Sequence, residues 1–223
     1  MLLLKVIQIA LLPALALAGI ITRDNTFPKR ASQSAVDILK GIATNAATNC
    51  AGQSFADECS TVAHSAPFLI TAMQQYQVDT AGEIGAVLAL MAYETVDFKY
   101  NINHSPGRPG QGTRNMQMAS YNLQYAQSIP ALQAPLAKIT TAKTVDGLSN
   151  DVLNQIRALV LVDDYAWATG AWFLKTVCGP DVSKGLRAGD QAGWEGYMKC
   201  VGVDGTDSAR LAYWTRAKST MGF

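Results

Sequence analysis

Histidine is nearly absent from this sequence: His64 and His104 are the only two in 223 residues. No CxxC pair accompanies them, so the donor spacing of a structural zinc site is missing and no metal is expected. No Ser or Cys motif for nucleophilic catalysis accompanies His64, which reads as a loop or core histidine. Blocks of like charge are missing too. With 18 basic and 17 acidic residues the formal charge is +1, which gives no electrostatic basis for a nucleic-acid or anionic-membrane partner. Alternation of strand type is almost missing, as are Pro/Gly/Ser linkers, low-complexity tracts and repeats. What remains is a single-domain, mainly α chain with no cofactor expected.

A long apolar run occurs only at the start, MLLLKVIQIALLPALALAG. Gln8 and Pro13 interrupt it, and it falls short of the roughly 20 apolar residues a membrane span needs. With Ala16-Leu17-Ala18 as an A-x-A-like cut site, residues 1–18 read as a secretory signal peptide. The dibasic pair in Phe27-Pro28-Lys29-Arg30 then marks residues 19–30 as a propeptide and 31–223 as the mature domain; the alternative is an ordinary solvated charge pair. The expectation is a secreted, extracellular monomer, free of the membrane once the signal is removed. Four cysteines in a secreted chain imply disulfides. Of three connectivities, Cys50–Cys59 and Cys178–Cys200 are favoured, because each closes a short loop near helix ends. A hydrophobic content of 49% against 16% charged residues suits a well-packed core.

Helical spacing links Ala35, Ile38, Leu39 and Ile42, and the segment around Phe68, Leu69, Ala72 and Met73. Thr80 and Glu83 form a capping box that opens the run IGAVLALMAYE, in which Ile84, Val87, Leu88, Met91 and Thr95 share a face with Glu94 at its edge. From Tyr100 to Gly112 the chain is too rich in Gly and Pro for a helix and could hold a short hairpin. Periodicity returns from Met116 to Gln127, then from Val152 to Thr176 as one long buried helix, near Gly193 to Cys200, and from Asp207 to Lys218.

Glu94 is the residue of chemical interest. A carboxyl at the apolar edge of a helix end is desolvated, which raises its pKa and suits it to donate a proton; the plainer reading is a surface Glu resting its stem on the apolar rim. Glu94-Thr95, then Gly110-Gln111-Gly112 and Met116-Gln117, resemble the lysozyme-like superfamily: goose-type lysozymes, lytic transglycosylases and family 19 chitinases. The aromatic stretch Tyr165 to Thr176 before Cys178, and the segment Gly193 to Gly202 with Arg210, Tyr213, Trp214 and Arg216, resemble the family 19 chitinases in order and character.

That resemblance implies a two-lobed helical fold with a small β-hairpin and a substrate cleft, and cleavage of a β-1,4-linked amino sugar polymer, chitin or peptidoglycan. It implies Glu94 as general acid, Gln117 as a substrate-binding residue and Tyr165 on the cleft floor. His104, Arg114 and Asn115 are cleft candidates by nearness to the motif. Inverting enzymes of this kind need a second carboxylate, and between Glu94 and Gln117 the only acidic residue is Asp97. Asp163 and Asp164 are the other candidates, unless they pair with Arg157 or Arg187. A single-acid mechanism stays open, as does a rival reading in which the chain binds glycan or a partner protein as a non-catalytic effector.

Overall fold

The computed structural model describes residues 33–223, so the expected signal and the expected propeptide lie outside the described residues. Among the described residues eleven α-helices succeed one another: α1 Ala35–Ile42, α2 Val62–Gln75, α3 Ala81–Glu94, α4 Ala119–Ser128, α5 Gln133–Ile139, α6 Asn150–Val160, α7 Asp163–Ala166, α8 Thr169–Trp172, α9 Gly179–Leu186, α10 Gln191–Val201 and α11 Ser208–Met221. A 3-10 turn, Pro130–Leu132, precedes α5, and a π-helical segment, Phe173–Cys178, joins α8 to α9. The mainly α class holds. In place of the expected hairpin there are two isolated antiparallel bridges, Ile102 with Gly112 and Gly112 with Gln117. Among the described residues no helix is long and apolar enough to cross a membrane.

Side-chain caps fix most of the helix starts. Ser34, Thr61, Thr80, Ser149, Asp190 and Asp207 each accept a backbone N–H of the first turn, satisfying donors that would otherwise be orphaned. At Thr80 the capping box closes in both directions through Glu83. Helix α3 departs from the amphipathic pattern its spacing suggests. Every residue from Gly85 to Ala92 is buried, as expected of a helix that is apolar all round. Small residues make this possible. A Cβ on Gly82 would stand 2.0 Å from the Leu186 carbonyl oxygen, and one on Gly85 would meet the Phe223 ring at 2.7 Å.

Two hydrophobic clusters surround this helix and its neighbours. One joins α1, α2, α3 and α11 with Trp194 and Trp214, whose rings stack 5.2 Å apart. The other joins α4, α5 and α6 around Tyr125, Trp172 and Phe173. Cys50–Cys59 and Cys178–Cys200 are bonded, which are the two pairings that short loops favour.

The long helix expected from Val152 to Thr176 is divided into α6, α7, α8 and the π segment. The division falls at Asp163, which occupies the first turn of α7, where a carboxylate is favoured by the helix dipole. Its Oδ1 accepts from Trp167 Nε1 at 2.7 Å and its Oδ2 meets His64 Nε2 at 2.6 Å. Arg157, one of its two expected partners, donates instead to the Gln111 carbonyl.

The start of α3 carries a buried ion network. Glu83 is fully buried and its Oε1 meets Lys175 Nζ at 2.6 Å and Ser183 Oγ. Burial alone would raise the Glu83 pKa, but the hydrogen bonds from Lys175, Ser183 and Thr80 outweigh it and hold the carboxyl at about 2. A carboxyl whose folded pKa lies below its unfolded value stabilises above the unfolded pKa and loses that contribution as pH falls. Unfolding free energy should therefore drop by on the order of 3 kcal/mol between about pH 5 and pH 2. Lys175→Met should cost about 3–5 kcal/mol at neutral pH by stranding the carboxylate and should flatten this acid dependence; urea unfolding across pH reads both.

Candidate functional site

Glu94 is the last residue of α3, and the backbone immediately after it is unusual. Val96, Asp97 and Phe98 are three consecutive non-glycine residues at positive φ, 52°, 57° and 68°. Left-handed backbone of this kind costs L-residues about 1–2 kcal/mol each, so the surroundings must hold it. Thr95 Oγ1 donates to the Met91 carbonyl at 2.7 Å and accepts from Phe98 N at 3.0 Å. Asp97 N donates to the Ala92 carbonyl, and its Oδ2 accepts from Asn45 N at 3.2 Å. The turn reverses the chain directly behind Glu94 and sends it into the 100–117 loop.

Glu58 organises the near end of that loop. Its Oε2 accepts from Asn101 N and Ile102 N, both at 3.0 Å, and its Oε1 meets His104 Nε2 at 2.6 Å. Phe55 stacks on the His104 ring at 3.8 Å. The Cys50–Cys59 loop thus sets the position of His104. At the far end, Asn122 Nδ2 donates to the Gly110 carbonyl at 2.8 Å, and its Oδ1 accepts from Gln117 Nε2 at 2.8 Å. Because a carbonyl can only accept, this chain fixes the orientation of both amides and leaves Gln117 Oε1 as a buried acceptor without a partner among the described residues. Asn115 Oδ1 is a second such acceptor.

Two cavities meet at Glu94. One, about 420 Å³, is walled by Phe55, Val96, Tyr100, His104, Gln111 and Met116 among others. The other, about 230 Å³, is walled by Asn115, Gln117, Met118, Tyr121, Phe173 and Val201–Val203. Glu94, Gln111 and Met116 belong to both walls. The Glu94 side chain is 25% exposed, and burial raises its pKa, with Arg210 only partly offsetting this. Arg210 Nη2 stands 3.7 Å from Glu94 Oε1, too long for a hydrogen bond. It is held elsewhere: Nη1 donates to the Asp204 carbonyl at 3.1 Å, and the guanidinium lies 4.5 Å over the Tyr93 ring. Burial first and then the Glu94 charge push the Tyr197 phenol up.

The residues singled out from the sequence therefore divide. Glu94, His104, Asn115 and Gln117 wall the joined cavities. Asp97, Arg114 and Tyr165 are in neither wall. Asp97 is 1% exposed beneath the left-handed turn. Arg114 is buried, donates to the Phe98 and Tyr100 carbonyls, and stacks 4.4 Å over Trp167; burial draws its pKa down to about 10. The Tyr165 carbonyl accepts from the Tyr125 hydroxyl within the second cluster. Sequence reasoning missed Glu58 as the loop's organiser and Arg210 as the neighbour of Glu94. Neither lies at a spacing that links it to Glu94, so no local signal could have found them.

No protein-family profile matches the chain, and no solved structure matches it. A bifunctional dioxygenase (DOX)-epoxy alcohol synthase (EAS) of Fusarium oxysporum (strain Fo5176) is 46% identical over 159 residues, covering 71% of this chain and 12% of that protein. The chain thus spans a small part of the relative it matches. This similarity overturns the glycosidase resemblance and with it the chitin or peptidoglycan substrate, and it supports neither the polysaccharide partner nor the glycan-binding effector alternative. A few short motifs gave that resemblance, whereas the relative shares most of the chain.

Two outcomes test the site's geometry. Val96→Gly should raise stability by about 1 kcal/mol in urea unfolding, because the exposed Val96 side chain loses little contact and the left-handed strain is relieved; ordinary β-region backbone there would make the change destabilising. Arg210→Met should raise the Glu94 pKa further, since a stabilising positive charge is lost, as read by carboxyl ¹³C shifts in an NMR titration.

Proposed function

We propose that the chain receives an epoxy alcohol, an aliphatic molecule bearing an epoxide and a hydroxyl, in the groove at Glu94, and opens the epoxide with water. The observation that carries this reading is a carboxyl kept towards its protonated form by burial at the junction of two cavities. Protonated Glu94 donates to the epoxide oxygen, a task that general acids perform at the leaving oxygen. Gln111, Asn115 and Gln117 belong to the same wall and bring amide groups to it for the hydroxyl. Met116, Met118, Phe173 and Val201 supply apolar wall for the aliphatic flanks. Substrate class is supported by the epoxy alcohol synthase in the relative's name; the reaction is one that consumes the product of such a synthase.

The step balances without an oxidant. Glu94's proton passes to the epoxide oxygen as one C–O bond breaks, the oxygen of water bonds to the carbon released, and the proton that water loses restores the acid. The product is a triol.

The dioxygenase half of the relative's name is not carried over. Dioxygen chemistry is supplied by cofactors and metals, and among the described residues no three His, Cys, Asp or Glu side chains converge on a metal-sized site. All four cysteines are in disulfides, and each histidine is engaged by a carboxylate. This donor set does not fit a metal held by three or more protein side chains, and no step is routed through one. The disulfides support the secretory setting inferred from the leader.

Incubation with an epoxy alcohol in ¹⁸O-water should give a triol carrying one labelled oxygen, detected by mass spectrometry. Glu94→Gln should lower the rate by about 10²–10⁴-fold and leave circular dichroism unchanged. Wild-type turnover should fall as pH rises through the raised Glu94 pKa, because the acid form is the active one. Equal rates for wild type and Glu94→Gln would remove Glu94 from the chemistry.

A further inference from the structure

On another side of the molecule, α1, α2 and α3 enclose an apolar groove of about 530 Å³. Its wall is built from Ile38, Leu69, Ile70, Met73, Ile84 and Leu88, and Met221 contributes from α11. None of these residues takes part in the Glu94 cavities. The groove is of the size that holds one small molecule, within the roughly 300–1,000 Å³ of ligand pockets. Ile70 is 45% exposed although it is a large apolar residue, and methionine side chains such as Met73 and Met221 adapt readily to a flexible occupant.

Charge at the rim decides what the occupant can be. Among the described residues, the only polar ones that line the groove are Gln74, Gln77 and Asp79, and its walls include no Lys or Arg. All three are exposed at the α2–α3 connection, so they sit together where that loop borders the groove. A carboxylate head placed there would meet Asp79 with no compensating cation. A hydroxyl or ammonium head could donate to Asp79 and to the amide oxygens of Gln74 and Gln77.

We propose that this groove binds a single unbranched aliphatic chain whose head donates hydrogen bonds and carries no negative charge, an alkyl alcohol or alkylamine. The inference is independent of the Glu94 reading, because it uses a different cavity and different residues. Chain length supplies the affinity: each buried methylene adds about 0.8 kcal/mol, which is about fourfold in the dissociation constant.

The test is displacement of Nile red from the purified chain at neutral pH. Octanol, decanol and dodecanol should displace it progressively better, by about fourfold per added methylene, and decylamine should match or exceed decanol. Decanoate should be at least about tenfold weaker, the cost of one like-charge contact at the rim. Asp79→Lys should invert the order, making decanoate the better ligand, and Ile70→Glu should abolish dye binding with circular dichroism unchanged. Four results would overturn the proposal. Decanoate could displace the dye as well as decanol does, Asp79→Lys could leave the order as it was, or Nile red could bind Ile70→Glu as it binds wild type. A chain that sediments as a dimer and becomes a monomer on Ile70→Glu would also overturn it, since the groove would then be covered by a second copy.

Discussion

Burial of α3 on every side is the constraint that shapes the remainder of the molecule. An isolated helix with an apolar surface all round has no solvent face, so other helices must enclose it, and α1, α8, α9 and α11 do so. Close enclosure requires small residues at the contacts. Gly82 and Gly85 provide them on α3 itself, and Gly170 of α8 provides one from outside, where a Cβ would stand 2.6 Å from Met91 Sδ. The helix also carries a carboxylate at each end, and the two have been given opposite electrostatic settings. Glu83 sits in direct contact with Lys175 and stays ionised far into acid. Glu94 has its nearest cation at 3.7 Å, anchored to other groups, and desolvation prevails. Two residues of one type on one helix are thereby drawn in opposite directions, one held as an anion and the other biased towards its protonated form.

How Glu94 comes to face open space depends on the turn behind it. A continuous helix would carry the chain straight on past Glu94. The left-handed run Val96-Asp97-Phe98 stops it within one residue, and Thr95 makes the run tolerable by bonding both forward and back. Strain of this sort persists only where surrounding structure over-determines it. Here the buried Asp97, bonded to Asn45 N, and the fully buried Phe98, edge-on to Trp167, hold the run from beneath.

Much of the helical layout was legible in the sequence, because capping residues and 3.6-residue spacing are local signals. The capping box at Thr80 and Glu83 is an example: it is written within four residues. Less legible were features that depend on distant partners. Nothing local to Asp163 announces that His64, distant in sequence, meets its carboxylate where the long apolar run is divided. Likewise, three non-glycine residues in left-handed backbone give no compositional warning, since Val and Phe are ordinarily strand or helix formers. At the candidate site, the motif resemblance placed Gln117 with Glu94 and nearness to the motif placed His104 and Asn115, but nearness also drew in Arg114 and the search for a second carboxylate drew in Asp97. Both belong under the site, where their burial serves the turn and the loop.

The glycosidase resemblance failed for a related reason. A glutamate ending an apolar helix, with a Gly-rich loop and a glutamine after it, describes a way of building a concave wall around a desolvated acid, and that construction does not specify what the acid protonates. Substrate class is decided by the groups facing the carboxyl across the groove. In the smaller cavity the wall combines Gln111, Asn115 and Gln117 with methionine, phenylalanine and valine side chains. Such a wall gains little from a molecule hydroxylated on every carbon and much from one with apolar flanks, because each buried methylene is worth about 0.8 kcal/mol whereas a buried hydroxyl without a partner costs about 1–3 kcal/mol. The sparsely oxygenated aliphatic ligand we propose is matched to such a wall, and its epoxide oxygen is a group that a protonated Glu94 can meet.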